Sequence, residues 1–302
     1  MIVKILLNPY ANRWAAESQA PAVEAACQAA GLDYDLTIIP APGGGTPATI
    51  AALQNGFDVV VAAGGDGTVS EVVNGLIHSA GEAQTKPLGV IPLGTGNDFS
   101  DMANLPRDIE ESIDTIKKGN VRQIDAGRVT LDGEIHFFDN NCAIAMEPMV
   151  TLEHIRMTRT SGNIRYVLAL FKALVKLKAW QLDMKWDEGD YQGGSYVLSV
   201  CNSQRTGGIF PMAPGAQMSD GQFDFVMAPD VGKSRIPLLL ARLFRGKHIH
   251  DSRVTFERTG RIEVTCDPPT PVHADGEMIG ERVRHILYEI LPGKISLLAP
   301  EL

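Results

Sequence analysis

The chain has 302 residues, too many for one small core and enough for two ordinary domains. Hydrophobic residues make up 44% and charged residues 21%, the profile of a globular protein with a large core. A net charge of −9 repels phosphate backbones and argues against nucleic acid as a partner. Cys27, Cys142, Cys201 and Cys266 show no C-x-x-C spacing, so reduced thiols are expected and not a zinc site or disulfide frame. The short apolar run before Asn8-Pro9 reads as a strand and not as a signal peptide. No apolar run reaches the roughly 18 residues that a membrane-spanning helix needs. A cytoplasmic location is expected.

Up to about residue 125, apolar strands alternate with helical stretches, as in a parallel α/β sheet. Strands are predicted over 2–7, 34–39, 58–63 and 88–92, and helices over 15–30, 49–54, 68–78 and 108–118. Gly31 and Gly119 stop two of the helices. The run DVVVAA is apolar throughout, which fits a central strand buried on both faces. Later segments, 128–131, 135–138, 196–201, 223–227, 261–265 and 286–291, alternate and are separated by turn residues. They predict an antiparallel, β-rich second domain, interrupted by helices over 164–180 and 234–245. The expected division is an α/β domain over 1–125 and a β-sandwich-like second domain over 126–292. A tail of about 293–302 is expected to return to the first domain.

Two glycine loops carry the chemistry. The strand ending at Ala63 runs into Gly64-Gly65-Asp66-Gly67-Thr68 and then at once into a helix. Glycines admit a phosphate close to the backbone, and a helix start offers free N–H groups and the positive end of its dipole. Asp66 beside a phosphate makes sense if a cation lies between them or if it takes a proton. The next strand leads to Gly94-Thr95-Gly96-Asn97-Asp98 and another helix start. Strand C-termini of a parallel sheet share one edge, so both loops can line one crevice. Neither loop is a Walker A or a dinucleotide fingerprint.

GGDGT followed by E-V-V-N-G-L, then PLGTGNDF, resemble the bacterial diacylglycerol kinase-like lipid kinases, a family that also includes sphingosine and ceramide kinases. Asn8-Pro9, FPMAPGAQMSDGQFDF, VHADGE and LPGKISLLAP extend the resemblance over nearly the whole chain. GGDGT links these proteins more distantly to NAD kinases and phosphofructokinases. The resemblance implies transfer of the γ-phosphate of ATP, with Mg²⁺, to a lipid hydroxyl in an interdomain cleft. It places nucleotide against Asn8, Gly64, Gly65, Asp66, Gly67, Thr68, Glu71, Gly94, Thr95, Gly96, Asn97 and Asp98. It also implies a water-and-Mg²⁺ network of Asp66, Asp98 and Asp125, and a separate structural metal site of Asp220 with the carbonyls of Gln217 and Gln222.

The D-G-E motif is implied to face the γ-phosphate and the acceptor. An extended backbone would point Asp275 and Glu277 the same way, and one of them is expected to be the general base, with Asp66 as the rival. Along 164–180, Arg165, Lys172 and Lys176 fall in one sector of an otherwise apolar helix. The stretch 234–247 carries Arg235, Arg242, Arg245 and Lys247. Core-packed helices with solvated basic edges and a surface for anionic membrane both fit, so peripheral attachment to the inner membrane face stays open. The expected partner is a lipid substrate at the membrane surface; a homodimer also stays open. An NAD kinase-like enzyme with a soluble acceptor and a silent lipid- or nucleotide-binding regulator are the alternatives.

Overall fold

The computed structural model describes residues 1–14, 16–157, 163–175 and 177–301. Ala15 and Lys176, and the side chain of Arg165, which carried expectations above, lie outside what is described. The chain forms two compact units, Met1–Ala126 with Pro292–Leu302, and Gly127–Leu291.

The first unit holds β1 (Ile2–Leu7), α1 (Ala11–Trp14), α2 (Ala20–Ala30), β2 (Asp33–Ile38), α3 (Gly45–Gln54), β3 (Val59–Gly64), α4 (Asp66–Ala80), β4 (Leu88–Pro92), α5 (Asp98–Met102) and α6 (Ile109–Lys118), and then enters β5 (Val121–Leu131). β1 pairs in parallel with β2 and β3, and β3 with β4. Val59 to Ala63 are at most 1% exposed, because helices cover both faces of the sheet. α2 and α6 pack on one face over Ile5, Val61 and Ile91. All four strands run the same way, so the turns after β1, β3 and β4 emerge at one edge.

The predicted helix over 15–30 breaks into a short turn at Glu17–Gln19 and α2, with Pro21 in the first turn of α2, where its missing N–H costs nothing. α4 begins at Asp66, two residues before its predicted start, with Gly65 as N-cap.

The second unit continues with β6 (Glu134–Phe138), β7 (Asn141–Ala145), α7 (Met146–Arg156), α8 (Asn163–Val175), β8 (Trp180–Trp186), β9 (Gly189–Cys201), β10 (Phe223–Pro229), α9 (Ile236–Leu243), β11 (Thr255–Thr259), β12 (Arg261–Ala274) and β13 (Glu277–Leu298). Its ladders are antiparallel. The first halves of β9 and β12 pair with β8, and their second halves with β7. The register of β12 breaks between Thr265 and Val272, where three prolines remove ladder donors. These long bent strands wrap one core that includes Phe138, Phe223, Phe225 and Tyr288. The last stretch of β13 lies beside β4 in the first unit, with Leu297 opposite Leu88.

The predicted helix over 164–180 ends at Val175, and Trp180 already begins β8. α7 carries no expectation from the sequence, because its apolar pattern is weak. The four cysteines are buried and free. No described helix is long and apolar enough to cross a membrane.

Candidate functional site

At the sheet edge of the first unit, the two glycine loops touch backbone to backbone. A Cβ on Gly94 would lie 2.4 Å from the Cα of Gly65, so this approach needs glycine. The Leu93 amide donates to the Gly64 carbonyl at 2.8 Å. Asp66 ties the loops together: its Oδ1 accepts the Phe99 amide of α5 at 3.0 Å. A Cβ on Gly96 would sit 3.1 Å from Oδ2 of Asp66, so glycine leaves that oxygen room. Asn97 adopts φ 57° and closes its loop with two bonds to the Gly94 backbone. Asp98 is buried at the start of α5, while Thr95 is exposed and donates to Asn12. The N–H groups of Asp66 and Gly67 open α4 and have no acceptor within the helix, an anion-binding arrangement.

Other expected ligands are taken up by the protein. The amide of Asn8 donates to Oγ1 of Thr68 at 2.9 Å, and its Oδ1 accepts from Tyr10. Thr68 is only 1% exposed, so the pair staples β1 to α4. Glu71 accepts the Gly43 and Gly45 amides at 3.0 and 2.6 Å. It therefore shapes the PGGGT loop. Asp125 is 2% exposed and accepts the Gly293 amide at 2.7 Å, a staple between β5 and β13. Among the described residues, no three His, Cys, Asp or Glu side chains converge as a metal site. The expected Asp66, Asp98 and Asp125 trio is thus not preassembled. Arg107, which the sequence reading passed over, pairs with Asp101 through two bonds and donates to the Gly96 carbonyl at 3.2 Å. That bond to Asp101 outweighs the lowering by burial and, with the charges of Asp101, Asp66 and Asp98, raises the Arg107 pKa.

In the second unit, Asp275 and Gly276 have φ 49° and 84° and form the two-residue turn between β12 and β13. The backbone there is not extended, so the same-side argument for Asp275 and Glu277 fails. Asp275 accepts the amides of Asp139, Asn140 and Asn141 at 3.1, 2.9 and 3.0 Å. It anchors the entry to β7. Glu277 is exposed at the first position of β13. His273, buried beside this turn, accepts the Gly276 amide at Nδ1, 3.3 Å away. That leaves the Nε2 proton directed at Glu147, with Nε2 3.6 Å from Oε1.

Glu147 also accepts from Asn141 and Thr206 at 3.0 and 3.1 Å, while its Oε2 is enclosed without a partner. Burial pushes its carboxyl up, but the adjacent His273 ring above all, then Ser199 and Asn141, hold it below the usual range. Glu147 and Thr206 form part of the wall of a largely apolar cavity among α7, α8, α9, β9 and β10. Met146, Leu170, Phe210 and Leu240 line it, and its empty space, open mouth included, is about 900 Å³. Neither Glu147 nor the cavity was legible in the sequence, because the wall is assembled from five distant segments.

At the expected structural metal site, the acid is engaged by the protein itself. Asp220 accepts the Gln222 amide at 3.1 Å with Oδ1 and pairs with the Arg258 guanidinium through Oδ2. Both carboxylate oxygens thus face protein donors in this structure. Arg258 also lies 3.9 Å from Asp224, whose carboxyl burial pushes up to about 6.

Residues 3–129 match the family model of the diacylglycerol kinase catalytic domain, and residues 142–299 match that of the YegS C-terminal NAD kinase beta sandwich-like domain. A diacylglycerol kinase of Bacillus subtilis is 29% identical over 92% of this chain and 90% of its own length. One from Staphylococcus aureus is 26% identical over 98% of this chain and 92% of its own length. Among solved structures, a putative diacylglycerol kinase from Bacillus anthracis superposes with a TM-score of 0.77 at 21% identity, covering 99% of this chain and 97% of its own. That likeness confirms the fold, an α/β catalytic domain followed by a β-sandwich domain. With both halves matched in order, the chain belongs to the bacterial diacylglycerol kinase-like family.

Proposed function

We propose that the chain is an ATP- and Mg²⁺-dependent lipid kinase that phosphorylates the hydroxyl of a diacylglycerol-like lipid. The observation that carries the reading is the locked pair of glycine loops, Gly65 against Gly94, with Asp66 bridging them at the edge of a parallel sheet. Nucleotide phosphates accept hydrogen bonds from the opening turn of α4 and the backbone of 94–97. Asp66 and Asp98 would hold Mg²⁺. Two carboxylates suit this ion, which keeps several waters and takes its other ligands from substrate. The ion would supply neutralisation of charge on the phosphates.

Glu277 is the group that takes the proton of the attacking hydroxyl. Asp275 holds the turn that presents it. The hydrocarbon part of the acceptor occupies the apolar cavity beside Glu147, whose enclosed Oε2 can accept from a hydroxyl. The names and extent of the curated relatives support the diacylglycerol class, and the enzyme works from the cytoplasm at the inner membrane face.

The test is transfer from labelled ATP to a panel of diacylglycerol, phosphatidylglycerol, sphingoid bases and undecaprenol, with NAD and a no-lipid control. Label in phosphatidic acid supports the reading. Label in NAD alone, or in nothing, overturns it.

A further inference from the structure

The wall of the cavity in the second unit carries the polar side chains of Glu147, Tyr196, Thr206 and His248, and the rest of it is apolar. Both hydroxyls are already engaged. Thr206 is within bonding distance of Asn141 and Glu147, and Tyr196 donates to Asp230 at 2.5 Å. The lining atoms left enclosed without a partner are Oε2 of Glu147 and Nδ1 of His248.

His248 opens the short turn His248–His250 that follows α9, and it is only 5% exposed. Its Nε2 lies 2.9 Å from the Met212 carbonyl. A carbonyl only accepts, so Nε2 carries the proton and Nδ1 keeps a bare lone pair. Burial lowers the pKa of the ring, which keeps it in this neutral form. The fold therefore uses one nitrogen of His248 and encloses the other. An enclosed acceptor without a partner is costly. A water would need about two to four polar partners to settle beside it, and the wall is mostly hydrocarbon.

Among the described side chains, the cavity thus offers acceptors and no spare donor. A plain diacylglycerol is poorly matched to it. Beyond its single hydroxyl, the polar atoms of that lipid are ester oxygens, which only accept. We infer that His248 is a specificity-determining residue, selecting an acceptor lipid with a second hydrogen-bond donor, an O–H or N–H in the part that fills the cavity. A hydroxyl on an acyl chain and an amide in place of one ester supply the same chemistry. The inference rests on the lipid-kinase reading for the occupant of the cavity and deepens it by naming the class. A site built around a hydrogen bond rejects the analogue that lacks the donor far better than an apolar pocket rejects a spare methylene.

Calorimetry of short-chain lipids in detergent, without nucleotide, tests it on the whole chain. The panel is a diacylglycerol with plain chains, the same lipid with one hydroxylated chain, and the same lipid with one ester replaced by an amide. Wild type should bind at least one donor-bearing lipid about tenfold or more tightly than the plain one. The lipid preferred tells whether the donor sits on the chain or at the linkage. His248→Phe and His248→Leu remove the acceptor and should level the panel, while His248→Asn keeps an acceptor and should retain part of the preference. A merely structural role would weaken every lipid alike and leave the ratio unchanged. If one apolar variant does not fold, the other carries the comparison. Equal affinity across the panel in wild type, no binding of any member, or a preference that survives in a folded apolar variant overturns the inference. Turnover with ATP is read in parallel. Selective binding that His248→Leu abolishes, with no lipid phosphorylated, refutes the kinase reading and leaves the role of His248 standing; phosphorylation of all three lipids with equal affinity does the reverse.

Discussion

Nε2 of His273 lies 3.6 Å from Oε1 of Glu147, and the same imidazole accepts the Gly276 amide through Nδ1. One buried ring thus joins the wall of the apolar cavity to the turn that carries Asp275 and Glu277. Replacing His273 by Ala removes both the ring that faces the Glu147 carboxylate and the acceptor of the Gly276 amide. The expected cost is about 1–3 kcal/mol, the scale for leaving a buried polar group without its partner. Chemical denaturation measures it, and His273→Asn, which keeps an acceptor for Gly276, should recover part of the loss. Equal stability of His273→Ala and the wild type would remove the pair from any structural role.

The two acids of the turn should separate cleanly. Asp275→Ala orphans three backbone amides, so it should cost about 2–3 kcal/mol and lower the melting temperature. Glu277→Gln should leave the melting temperature and ATP affinity unchanged while turnover falls by about a hundredfold or more. If Glu277→Gln turns over normally and Asp66→Asn is inactive yet binds MgATP, the proton acceptor is Asp66.

Gly65 and Gly94 are each other's steric limit. Gly65→Val and Gly94→Ala should push the loops apart and weaken ATP binding by about tenfold or more, while the sheet behind them keeps its circular dichroism. Calorimetry reads the affinity. Unchanged affinity in both variants would place the nucleotide elsewhere.

Asp251 accepts from Arg253 and Arg242, and the Arg253 bonds above all hold its carboxyl down to about 2. Because the folded value lies below the unfolded one, this pairing stabilises fully above the ordinary carboxylate range of about 4. The contribution fades as pH falls from there toward about 2. Melting curves of wild type and Asp251→Asn should differ at neutral pH and converge as the solution is acidified. A constant gap across that range would show that Asp251 acts by packing alone.

Asp220→Ala should lower stability by at most about 1 kcal/mol, the loss of a half-exposed ion pair and a turn bond. Magnesium should leave the melting temperature of wild type and variant alike through this site. A magnesium-dependent shift present in wild type and absent in Asp220→Ala would restore the cation to this turn.

Much of the first unit could be read in advance. The run from Val59 to Ala63 is apolar at every position, and only a strand covered on both faces has that pattern. The order strand, glycines, helix is local, so the placement of Asp66, Gly65 and Gly94 at one edge followed from parallel topology. The roles of Glu71 and Asp275 did not. Each is an acid inside a familiar motif, and its sequence neighbours say nothing about the backbone amides that come to meet it.

Local chemistry therefore determined the strands, the glycine loops and the cis-acting caps, because these depend on residues within a few positions of one another. Tertiary structure decided which carboxylates remain available for chemistry. Asp220 faces Arg258 from 38 residues away, Asp275 meets amides 134 to 136 residues away, and the cavity beside Glu147 needs three helices and two strands to close. A carboxylate's role depends on the donors around it, and long-range packing chose those donors.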